Sequence, residues 1–90
     1  MTNRRTLKRE IRQICTELFA ECVAVSQYGT PNERECAESL MYTIIKMEKN
    51  FINRISHPEP GLEPSKYYKD LKEKFKAQAM EIIDQITISD

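Results

Sequence analysis

The sequence predicts an all-α protein: an antiparallel up-down-up bundle of three long helices over about 3–27, 31–56 and 64–87. Three observations predict it. Apolar residues recur at helical spacing in three stretches, and no segment alternates with period two over more than a few residues. Only two glycines and no tryptophan occur in 90 residues, scarce material for an all-β fold or a phosphate-cradling loop. At 10.6 kDa, residues 1–90 make one domain.

In the first helix Leu7, Ile11, Ile14, Leu18, Cys22 and Val25 return at intervals of three or four, one face of a helix of about 3.6 residues per turn. Tyr28-Gly29 ends it, with Gly29 expected at the left-handed capping position. Thr30-Pro31-Asn32-Glu33 then supplies an N-cap hydroxyl, a proline suited to a first helical position and a glutamate completing a capping box. The second apolar series is Ala37, Leu40, Ile44, Met47, Phe51 and Ile55. It stops at Ser56-His57-Pro58-Glu59-Pro60-Gly61-Leu62-Glu63-Pro64, where three prolines and a glycine cannot continue a helix. The third series, Tyr68, Leu71, Phe75, Ala79, Ile82 and Ile86, begins near Pro64 or Ser65, and its β-branched end, Ile86-Thr87-Ile88, is expected to fray.

The register can be checked by pairing. A hairpin folded about position 29 sets Leu7 against Phe51, Ile11 against Met47, Ile14 against Ile44 and Leu18 against Leu40. A third helix parallel to the first, offset by 64, sets Leu7 beside Leu71, Ile11 beside Phe75, Leu18 beside Ile82 and Cys22 beside Ile86. Every layer closes with apolar residues except one near Gln78, where Ala79 substitutes.

The apolar residues exceed what these stripes need. Phe19, Val23, Met41, Ile45 and Ile52 lie beside the stripes of the first two helices. A helix facing two neighbours has a wide stripe; the sharper expectation is an apolar flank that buries itself in a partner helix or a second copy, forming a homodimer.

Fourteen basic and fourteen acidic residues give zero formal charge, which argues against a uniformly basic nucleic-acid clamp. Folding separates the signs. Residues 1–14 and 45–76 gather thirteen basic against six acidic residues at one end, a net +7, while 15–44 and 77–90 hold one basic against eight acidic, a net −7. Helix macrodipoles do not account for it, because the first and third helices both start at the positive end. Arg4, Arg5, Lys8, Arg9, Arg12, Lys49, Lys66 and Lys69 are the candidate anion-binding set, with Tyr67 as a candidate for stacking on bases. The alternatives are a solvated face and contact between opposite ends of neighbouring copies.

No chemistry-bearing constellation emerges. Cys15, Cys22 and Cys36 are odd in number and form no Cys-x-x-Cys pair, and His57 is the lone histidine, so neither a disulfide framework nor a zinc site is expected. Cys22 and Cys36 lie equally far from position 29 and would face each other. His57 has no recognisable Cys or Ser partner. In length and helicity alone the chain is similar to the all-helical chorismate mutases. Those enzymes project Arg and Lys into the bundle interior, where every position here is apolar or Cys. The chain also has no apolar run near the roughly 20 residues of a bilayer span. Its first residues lead into an amphipathic pattern rather than a signal region. The expectation is a cytoplasmic, non-enzymatic interaction module without cofactor or metal. It would act through protein–protein contact and self-association, with nucleic-acid or other polyanion binding as the alternative.

Overall fold

The computed structural model describes residues 4–58 and 60–89, with side chains as far as Ile86. Three helices, α1 (Arg4–Tyr28), α2 (Pro31–Ser56) and α3 (Pro64–Ser89), pack into a bundle of 48 × 20 × 18 Å. The boundaries agree with those the sequence predicts to within two residues, and α3 carries its helical backbone to Ser89.

The turn between α1 and α2 is built by local chemistry. Thr30 Oγ1 accepts from the Glu33 backbone N–H at 3.3 Å, and Glu33 Oε1 accepts from the Thr30 N–H at 3.4 Å and its hydroxyl at 2.9 Å. This is the expected capping box, which satisfies orphan donors at the head of α2 and is worth about 1 kcal/mol. Arg34 Nε also donates to the Gly29 carbonyl at 3.1 Å.

The left-handed cap expected at Gly29 is not formed. Gly29 donates its N–H to the Val25 carbonyl at 2.8 Å, continuing the helical pattern, and the positive φ among the described residues belongs to Gly61, at 87°. Gly29 is instead a place of close approach: a Cβ there would stand 2.6 Å from the Val25 carbonyl oxygen and 3.0 Å from Glu33 Cβ. The tight turn demands a missing side chain rather than a special dihedral.

The core follows the three stripes. Leu7, Ile11, Cys15, Leu18 and Cys22 of α1 meet Ala37, Leu40, Ile44, Met47, Phe51 and Ile55 of α2, with Tyr68, Leu71, Phe75, Ala79 and Ile82 of α3 closing the third side. No polar or charged residue is buried among the described residues. The stripes differ in detail: Cys15, not Ile14, takes the buried position, and Ile14, Val25 and Ile86 are half-buried against the core. Cys15 lies beside Ile44 and Glu48 of α2, and Ile14 beside Phe75 and Ala79 of α3, so the α1 stripe widens to face both neighbours.

Cross-helix contacts fix the register. Arg4 Nε donates to Tyr68 Oη at 3.3 Å, a separation of 64 in sequence, as the pairing predicts. Lys72 Nζ meets Glu10 at 3.6 Å, and Phe51 packs edge-on against Phe75 with ring centroids 5.4 Å apart. Spacing within the bundle is unequal. α1 and α2 run closely side by side, whereas α3 stands further from both. The small Cys22 and Ala37 belong to the core of α1 and α2, while α3 meets α2 through the bulky pair Phe51 and Phe75.

Candidate partner-binding groove and basic face

The wide spacing of α3 leaves an opening where its side chains become small. At Ala79, the layer the sequence closes only weakly, the seam between α1 and α3 widens into a groove of about 710 Å³. Ile14, Leu18, Phe75, Ala79, Met80, Ile83 and Ile86 line it, with Glu17, Glu21 and Lys76 as its charged members. Met80 is 58% exposed and Ile83 42%, among the most exposed large apolar side chains of the described residues. In water such a surface carries an unfavourable free energy of about 25 cal/mol per Å² that a covering helix would remove.

This groove is not the flank that the sequence singled out. Of Phe19, Val23, Met41, Ile45 and Ile52, four are half-buried and Ile45 is 41% exposed. Met41 and Ile52 pack against the core, and Phe19 and Ile45 line a smaller hollow of about 140 Å³ with Cys15, Thr16, Ile44 and Glu48. The counterpart of that flank on α3 was readable: Met80 and Ile83 flank the Ala79–Ile82 stripe, one or two positions out of phase.

Five of the eight candidate anion-binding residues lie together on α1. Arg4, Arg5, Lys8, Arg9 and Arg12, with Gln13, Thr16 and Glu17, line an open trough of about 890 Å³ along α1. Arg4 is tethered to Tyr68 Oη, and Lys66, at the same end, lies 3.7 Å from Glu63. Lys49 and Lys69 are exposed. The matched register keeps basic and acidic halves at opposite ends; Glu59 and Asp90, counted in the sequence tally, lie outside the described residues. Tyr67 is not free to stack on bases. Its hydroxyl donates to the Arg54 carbonyl at 3.2 Å, and its ring stands edge-on to Tyr68 at 5.7 Å.

None of the three cysteines is in a disulfide; Cys15 and Cys22 are buried and Cys36 is half-buried. Burial, with a smaller contribution from Glu48, pushes the Cys15 thiol up from 9.0 to about 12. Burial first, and then Cys36 and Glu21, raises Cys22 too, which sets Cys22 within electrostatic reach of Cys36 across the hairpin. A thiol held protonated by the fold favours folding fully below pH 9.0, its ordinary value. That contribution is lost as pH rises toward about 12, because the unfolded chain ionises first. Circular dichroism against pH should show stability falling above 9.0, with a shallower slope in Cys15→Ala. Thiol-alkylating reagents should label Cys36 first and reach Cys15 only on unfolding.

Among the described residues no three His, Cys, Asp or Glu side chains converge to hold a metal ion, and no helix is long and apolar enough to cross a membrane. No protein-family model matches the chain, and neither a curated protein nor a solved structure does so. The fold and its two surfaces therefore carry the functional reading.

Proposed function

We propose that the chain is a small helical-bundle interaction module that works in the cytoplasm by protein–protein contact, self-association included, and performs no catalysis. One observation carries this reading: a core in which no polar or charged residue is buried among the described residues lies beside an open apolar groove that exposes Met80 and Ile83. Such a groove takes the apolar face of a helix, read through anchors at i, i+3, i+4 and i+7. Cysteines outside any disulfide suit a reducing compartment.

The second reading, binding of nucleic acid or another polyanion, draws support from the α1 trough and its four arginines. The two respond oppositely to salt and substitution. Capture of binding proteins by wild type, by Met80→Glu with Ile83→Glu, and by Arg5→Glu with Lys8→Glu and Arg12→Glu separates them. The groove reading expects partners lost only with the first set of substitutions and retained after nuclease treatment and at raised salt. Partners lost with the second set, on nuclease treatment and at raised salt would replace it with the polyanion reading.

A further inference from the structure

We infer that the occupant of the α1/α3 groove is a second copy of this chain, lying antiparallel to the first about a two-fold axis across the middle of the rod. This rests on the interaction-module reading and names its partner. Three observations on the molecule converge on it.

The first is position. The Arg4–Tyr68 contact sets each α3 residue level with the α1 residue 64 positions earlier, so Met80 is level with Thr16 and Ile83 with Phe19. Thr16 is the midpoint of α1, Arg4–Tyr28. The groove therefore sits at the centre of the rod, where a perpendicular two-fold overlaps two copies along their whole length. Overlap along the 48 Å length leaves room for the roughly 800 Å² that each partner contributes to a standard interface. A groove near one tip would not permit this.

The second is the sign of the charge along the rod. An antiparallel pair lays the +7 end of each copy over the −7 end of the other. A parallel pair stacks like on like and is opposed by the field of the whole molecule.

The third is the charge on the groove itself. Glu17 and Glu21 repel a nucleic acid or an acidic helix, and Lys76 disfavours a purely basic one. A second copy brings both signs in the needed order. Lys76 is level with Arg12, four positions from the Thr16 midpoint, and the two-fold carries that level to within about one residue of the second copy's Glu21. Two such Lys76–Glu21 pairs, related by symmetry, fix the direction of an interface whose affinity comes from Met80 and Ile83.

Sedimentation equilibrium of the full chain tests this across a wide concentration range. The expected result is a concentration-dependent dimer that Met80→Glu shifts to monomer. Lys76→Glu and Glu21→Lys should each weaken the dimer about tenfold, and the two together should restore it. All three positions are exposed, so circular dichroism and thermal melting of the monomers should stay close to wild type. A wild type that is monomeric at every concentration overturns the inference, as does a double charge variant that associates no better than either single one. If the wild type is monomeric while groove substitutions still abolish capture of another protein, the second copy fails as occupant and the interaction module stands.

Discussion

Phe51→Ala should destabilise the bundle by about 3–5 kcal/mol, read as a large fall in the urea midpoint, or prevent folding altogether. Phe51 is fully buried in the core that all three helices share, and its ring is the edge-on partner of Phe75 at 5.4 Å. Removing it forfeits the transfer energy of a large side chain and leaves a cavity that rigid helices cannot close. A domain of this size has a total stability of about 5–13 kcal/mol, so one ring is a large share of it. The effect should also be shared with Phe75. A double-mutant cycle should show about 0.5–1.5 kcal/mol of coupling beyond the two separate losses. A loss below about 1 kcal/mol would mean that α3 does not pack on α2 at this layer.

The second large effect is expected at Gly29. Gly29→Ala puts a Cβ 2.6 Å from the Val25 carbonyl oxygen, and that atom belongs to the backbone and cannot swing aside. The turn must open, at a cost of about 1–3 kcal/mol. Gly61 provides the contrast. A Cβ there meets nothing within 4 Å, but its φ of 87° disfavours an L side chain, at a cost of about 1 kcal/mol. Asparagine separates the two causes, since it tolerates the left-handed region but is larger than alanine. Gly61→Asn should therefore lie closer to wild type than Gly61→Ala, whereas Gly29→Asn should be no better than Gly29→Ala. Thermal melting of the four variants checks both statements. A Gly29→Ala protein as stable as wild type would show that the close approach is relieved by a small shift of the turn.

What the sequence made legible follows from where the physics is local. The capping box at Thr30 and Glu33 is decided by side chains within four residues, and the helix ends at Pro31 and Pro64 by single rings that forbid a preceding helical turn. The offset of 64 between α1 and α3 was recoverable because apolar residues must meet in layers, and Arg4 with Tyr68 bears it out. Gly29 misled because a glycine after a helix has two uses, left-handed dihedrals and close packing. Only the path of the following helix decides between them.

The apolar surplus was harder for a related reason. Phe19, Val23, Met41, Ile45 and Ile52 and the pair Met80 and Ile83 sit similarly off their stripes, and periodicity alone cannot tell which of them a neighbouring helix covers. That depends on the distance between axes, which bulky residues such as Phe75 set far along the chain. Tyr67 is a similar case. Its position beside the core stripe left it a free ring until the Arg54 carbonyl, thirteen residues away, claimed its hydroxyl.

The unequal spacing of the helices also orders events during synthesis. Helices α1 and α2 are neighbours in the chain, joined through Gly29 and Thr30, and their close seam can zip as soon as both have left the ribosome. Until Pro64–Ser89 emerges, Phe51 of this nascent hairpin lacks Phe75, its edge-on ring partner, and the Ile55 carbonyl lacks the Tyr68 hydroxyl. The arrival of α3 thus supplies the cover that the hairpin's core stripe lacks on its own.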